Sequence, residues 1–166
     1  MSITPDAGSA GRHGAALSAH DRIAWLLQEF TEDLPDVTHA VLLSREGLRL
    51  LDGGVEKDWA DLLAASISGV ASLAANVTGP TGKKLPAKQV LVERDDCLFL
   101  VQNAGGSKAF ENQPGAVRGV VDTILVVVTV PDANVGTVGF EMSRLIGKFA
   151  DYMEVPVRAA SGDVAP

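Results

Sequence analysis

Basic residues are scarce in this chain. Its 166 residues carry 14 Lys and Arg against 21 Asp and Glu, a formal net charge of −7. That balance excludes an electrostatic appetite for nucleic acid or anionic lipid. Cysteine is nearly absent. A single residue, Cys97, allows no internal disulfide and fits a reducing compartment. Three histidines, His13, His20 and His39, make no cluster with Cys97 at zinc-ligand spacing. The first residues lack a basic segment followed by an apolar one, so a signal peptide is not expected. A membrane span is not expected either. Such a helix wants about 20 predominantly apolar residues, and the longest uncharged run is diluted by Ser66, Ser68, Ser72 and Asn76. A soluble cytoplasmic protein, associated with a membrane at most through its partners, without membrane insertion, nucleic-acid partner, metal or cofactor, is the expectation.

The most informative absence is local. Between Asp61 and Lys83 there is no charged residue at all. Within this stretch, from Trp59 to Thr78, bulky apolar residues recur at Leu62, Leu63, Ile67, Val70 and Leu73. That is the recurrence of a helix with a buried face, read here as the side that meets a sheet. Ala64, Ala65, Ser68, Ala71, Ser72 and Ala75 fill the opposite side, where an ordinary surface helix carries Glu, Lys and Arg. A helix buried on two sides is more than one small domain readily covers.

The remaining pattern gives the order α-β-β-α-β-β-β-α. Residues 1–17 are rich in Gly, Ala and Ser and read as a disordered lead. Ser18 and Asp21 form a capping-box-like start to an amphipathic helix that ends at Pro35. Residues 37–44 and 48–51 read as a hairpin about Arg45-Glu46-Gly47, with the glycine where a positive φ is needed. The uncharged helix occupies Lys57 to Thr78 and stops at Gly79-Pro80-Thr81-Gly82. Residues 88–94 and 97–103 flank an Asp95-Asp96 turn. A Gly-rich connection, 104–121, leads to an unbroken β-branched run at 122–130, the mark of a strand covered on both faces. Pro131-Asp132 opens the last helix and Pro156 ends it, with 156–166 read as a disordered tail. Hairpin-like links exclude a doubly wound parallel sheet. The expected class is α+β, a five-stranded antiparallel sheet with helices on both faces.

No catalytic constellation is visible. Gly79 to Lys84 superficially resembles a phosphate loop, but it lacks the four-residue gap, the Ser or Thr after the lysine, the preceding strand and the following helix. Asp95-Asp96 is first a turn. A nucleophilic pair would need Cys97 beside His39. Arg45 and Arg118 fall in loops, where a solvated arginine is the ordinary reading and an arginine finger the sharper one.

A family resemblance rests on specific segments. Leu34-Pro35-Asp36-Val37-Thr38-His39-Ala40-Val41-Leu42-Leu43-Ser44 with Glu46-Gly47-Leu48, then Ser66 to Ala74, resemble the roadblock/dynein light chain family. Val92-Glu93, and Asp132-Ala133-Asn134-Val135-Gly136 running into Phe140-Glu141-Met142, are similar to its later signatures. The resemblance covers residues 18 to 153 and departs from the bacterial pattern at Gly105 to Gly119. It implies a profilin-like fold over 18–155, with the middle helix on one face of the sheet and the two terminal helices on the other. It further implies a non-enzymatic homodimer that binds a Ras-like small GTPase as activator or effector. The nearest flavour is the roadblock component of actinobacterial conservons, which also places a sensor-kinase-like protein among the partners. In that dimer Ala64, Ser68, Ala71, Ser72 and Ala75 would lie near the two-fold axis, with Gln89 and Leu91 on the pairing strand. The alternative is a small-molecule sensor of profilin- or PAS-like build, which requires an internal cavity.

Overall fold

The structure, a computed structural model, describes residues 17–152. The expectations for the lead, for the tail and for Pro156 as a helix stop lie outside those residues. In chain order the elements are α1 (Ala19–Asp33), β1 (Val37–Ser44), β2 (Arg49–Leu51), α2 (Lys57–Ala75), β3 (Gln89–Glu93), β4 (Leu98–Ser107), β5 (Val121–Thr129) and α3 (Val135–Phe149). This is the order the sequence predicts, and the class is α+β.

Local chemistry sets each boundary. At α1 the capping box forms in full: Asp21 N donates to Ser18 Oγ at 3.1 Å and Ser18 N donates to Asp21 Oδ2 at 3.3 Å. Gly47 takes φ +93°, and it is also pressed against α2, since a Cβ there would stand 2.9 Å from Ser68 Oγ. The Asp95-Asp96 turn closes through Arg94 N to Cys97 O at 3.0 Å.

All strand pairs are antiparallel, in the spatial order β2-β1-β5-β4-β3. The β-branched strand β5 is therefore central, and every residue in it except Asp122 is buried. Alternation along the strands divides the interior in two. One core joins Ile23, Leu27 and Phe30 of α1 and Met142, Leu145 and Phe149 of α3 to Leu42, Leu100, Leu125 and Val127. The other joins Leu63, Ala64 and Ile67 of α2 to Val41, Leu43, Val101, Ile124 and Val126. The middle helix thus covers one face and the terminal helices the other.

Four details differ from the sequence reading. Helix α2 ends at Ala75 rather than Thr78, because Asn76 turns back on it: its N donates to Leu73 O at 3.1 Å and its Nδ2 to Ser72 O at 2.9 Å. Helix α3 begins at Val135 behind an Asn134 cap, whose Oδ1 accepts from Thr137 N at 2.9 Å. Strand β4 continues through Ala104–Ser107 over a bulge between Asn103 and Gly105, where Gly105 has φ +86°. Glycines that suggest a loop here serve a bulge, so the excursion shortens to 108–120. It is anchored by Phe110, which is buried in the α1–α3 core.

The fourth difference is the rotation of α2. Leu62 and Leu73, expected on the sheet side, are 68% and 73% exposed, while Ala60 and Ala64 are fully buried. The sheet face below presents bulky Val41, Leu43, Val101, Ile124 and Val126, and small alanines let the helix settle onto that relief. Both the 60-63-64-67-71 and the 62-66-69-73 sets obey helical periodicity, and side-chain size alone picks the wrong one.

Candidate interaction surfaces

Helix α2 is held firmly at its start. Glu56 caps it, with its carboxylate accepting from Asp58 N and Trp59 N at 2.9 Å each, and these bonds hold the Glu56 carboxyl below its ordinary value. Asp61, the last charge before the neutral run, pairs with Arg49 Nε of β2 at 3.1 Å. Trp59 lies against the His39 ring at 5.0 Å. A rigid stem therefore presents an outer stripe of Leu62, Ser66, Gly69 and Leu73, flanked by Ala65 and Ser72. Val77 and Leu85, both about two-thirds exposed, extend this apolar surface past the helix end.

The candidate dimer residues do not fall on one surface. Ala64 is fully buried against the sheet of its own chain, so its side of the helix is already occupied. Ser68 is half-buried beside Gly47, with its hydroxyl donating to Ala65 O at 3.1 Å. Ala71 and Ala75 are half-buried and line a cleft with Arg45, Pro86, Ala87 and Val90. Ser72 is exposed. On β3, Gln89 pairs with Gln102 and Leu91 with Leu100, which places both on the α1–α3 face, opposite α2. Their neighbours Val90 and Val92 are the β3 residues on the α2 side. Both groups meet only at the free edge of β3, the last strand of the sheet.

That edge is braced from behind. Gln102 is buried, and its Nε2 donates to Gln89 Oε1 at 2.8 Å and to Gly139 O of α3 at 3.0 Å. Its Oε1 accepts from Ser143 Oγ at 3.1 Å. One side chain joins β4, β3 and α3. Sequence reasoning missed Gln102, whose only signal is a polar residue in phase with Leu98 and Leu100. It also missed Leu62 and Leu73 as outward residues.

The chemistry of Cys97 is plain. Burial is the main cause pushing its thiol pKa up, with the neighbouring Asp96 charge adding to it, so the thiol is not activated. Its sulfur lies 3.6 Å from Asp96 Oδ1, while His39 Nδ1 is engaged with Thr38 Oγ1 at 2.9 Å. No group of three or more metal-capable side chains forms among the described residues. A sensor needs an enclosed cavity. The hollows described here, such as one of about 390 Å³ between the start of β3 and α3, open to solvent.

The sheet, its helices and this edge define a roadblock-type α+β domain. A model of the Roadblock/LC7 domain matches residues 23–107, about half of the chain. The chain belongs to the Roadblock/LC7 family. The crystal structure of a Roadblock/LC7 domain from Streptomyces avermitilis is similar at 32% identity and a TM-score of 0.63, with 78% of this chain and 95% of that one covered. The gliding protein MglB from Thermus thermophilus shares the fold at 18% identity and a TM-score of 0.63, covering 83% of this chain and 93% of its own. MglB from Myxococcus xanthus does so at 12% identity and a TM-score of 0.60, covering 82% and 90%. No curated protein matches the chain.

Proposed function

We propose that this protein is a non-enzymatic, homodimeric platform that binds a Ras-like small GTPase in a bacterial signalling system, as activator or effector. The observation that carries the reading is the outer face of α2, which exposes Leu62 and Leu73 on a helix without a charge from Leu62 onward. Such a surface calls for a cover. Membership of the Roadblock/LC7 family supports a second copy as that cover, and supports the GTPase as the partner of the pair. The likeness to the Streptomyces domain supports the conservon setting, with a sensor-kinase-like protein as a further partner. Cytoplasmic placement goes with this setting. Among the described residues no helix is long and apolar enough to cross a membrane.

Geometry favours edge-to-edge pairing of β3 about a two-fold axis. Such pairing brings the two α2 helices together on one face and the two Leu91 side chains together on the other, so that the exposed Ser72 and Leu91, one from each expected group, gain partners at once. Removing Leu62 and Leu73 from water contributes about 1.5–3 kcal/mol for each side chain fully covered. The β3 edge, otherwise a hazard, is consumed. Two measurements test this. Light scattering at tens of micromolar should give twice the chain mass, and Leu73→Glu with Ser72→Arg should halve it while circular dichroism stays unchanged. Pulldown of the GTPase encoded beside this chain, loaded with GDP or a GTP analogue, should show nucleotide-dependent capture. A monomeric wild type sinks the dimer, and equal absence of capture in both states sinks the GTPase.

A further inference from the structure

The backbone of β3 has a direction that its hairpin fixes. Arg94 N donates to Cys97 O at 3.0 Å across the Asp95-Asp96 turn, and hydrogen-bonded pairs alternate along an antiparallel ladder. The N–H and C=O groups of Arg94, Val92 and Val90 therefore point toward β4. Those of Gln89, Leu91 and Glu93 point out of the sheet, since β3 is its last strand. Among the described residues no loop or helix backbone bonds to these three.

The side chains of the same three residues are exposed, and two of them are chemically unfinished. Gln89 Oε1 accepts from Gln102 Nε2 at 2.8 Å, and Gln102 is itself held by Gly139 O and Ser143 Oγ. The Gln89 oxygen is thereby committed inward. Its Nε2, with two N–H donors, has no acceptor among the described residues. Glu93 is the converse. Its exposed carboxylate makes neither an ion pair nor a hydrogen bond among the described residues. A spare donor thus stands at one end of the free edge and a spare acceptor at the other, with the apolar Leu91 between them.

We propose that this edge is matched to a second copy of itself in one register, with Leu91 opposite Leu91 on the two-fold axis and Gln89 of each copy donating to Glu93 of the other. This rests on the dimer reading above. In that register every outward residue faces an outward residue, so each facing pair exchanges both backbone bonds. A slip of two residues sets Leu91 against Gln89 in one direction and against Glu93 in the other. Either slip also pairs the remaining outward residue with one outside the strand. On the α2 face the matched register places Lys88 opposite Arg94 of the second copy, whose charge Asp96 already holds at 2.8 Å. Gln89 and Glu93 then select the partner strand, because an edge without this order of donor and acceptor leaves both groups unpaired. The buried Gln102 is the positioning residue behind them.

The test measures dimer dissociation of the full chain by analytical ultracentrifugation. Gln89→Glu keeps the oxygen that Gln102 needs but opposes two carboxylates at each end of the pairing, and it should weaken the dimer about tenfold. Glu93→Lys should weaken it too, by removing the acceptor. Mixed in equal amounts, the two variants should form a heterodimer tighter than either homodimer and within about threefold of the wild type. In that pair the new carboxylate of one chain meets the new ammonium of the other, and an unchanged Gln89 meets an unchanged Glu93 at the second site. In a Cys97→Ser background, Leu91→Cys should oxidise to a covalent dimer faster than Glu93→Cys, because only residue 91 faces its own copy at about 5.5 Å between Cα atoms. If the wild type dimerises but the mixture shows no preference for the heterodimer, or Glu93→Cys crosslinks as fast as Leu91→Cys, the register is overturned and the dimer reading stands. A monomeric wild type overturns both.

Discussion

At the scale of residues, Gln102 and Gly139 are coupled. The Gln102 amide satisfies Gln89, Gly139 and Ser143 together, and a Cβ at Gly139 would stand 2.6 Å from Gln89 Oε1. Gln102→Leu should therefore cost about 1–3 kcal/mol, because the buried Gly139 carbonyl loses its side-chain bond, and urea unfolding reads this directly. Gly139→Ala should push the exposed end of Gln89 away and break its bond to Gln102, so that in the wild type this loss offsets much of the helical gain of about 1 kcal/mol of Ala over Gly. In a Gln89→Ala background the same change should show that gain in full. A double-mutant cycle that came out additive would refute the coupling. This bracing is illegible in sequence. Gln89 and Gln102 are 13 residues apart, and only the β3–β4 register makes them face each other. By contrast Gly47 was legible, because a tight turn states its own backbone requirement.

At the scale of elements, the helix starts write their chemistry locally. Ser18 with Asp21, and Glu56, accept backbone N–H groups at the first turns of α1 and α2. Hydrogen bonds with Ser18 are the main cause lowering the Asp21 pKa, and the backbone bonds from Asp58 and Trp59 lower that of Glu56. A carboxyl lowered on folding stabilises fully above its unfolded pKa and loses that contribution as pH falls through the folded value. Glu56→Gln should thus narrow the stability difference between neutral and acidic pH, and paired thermal melts on the two sides of the carboxylate range check it. An unchanged difference would remove Glu56 from that role. The existence of all eight elements was legible because each period is local. The facing of α2 was not, since two apolar stripes compete on it and the winner depends on the bulk of Val41, Leu43 and Ile124 beneath. The end of strand β4 is illegible for a related reason: Gly105 and Gly106 carry no β signal, and their pairing with Thr123 and Asp122 is what makes them strand.

At the scale of the whole molecule, association and stability are linked. If α2 and the β3 edge close a dimer, the melting temperature should rise with protein concentration over a hundredfold range, and Leu73→Glu should abolish that dependence. A concentration-independent wild type would contradict it.

The place of β5 has a consequence for how the chain comes to fold. This central strand pairs with β1 across some eighty residues, Val41 with Val126 for example, and with β4 on its other side. Until residues 121–129 are synthesised, β1–β2 and β3–β4 are two separate hairpins with bare inner edges, so no stable sheet exists on the ribosome. Closing such distant pairs is slow, and the waiting hairpins are prone to stick to other chains. A fragment ending at Ser107, which holds the whole family-matched segment 23–107, should remain unfolded or aggregate, and should gain its sheet only when β5 is supplied.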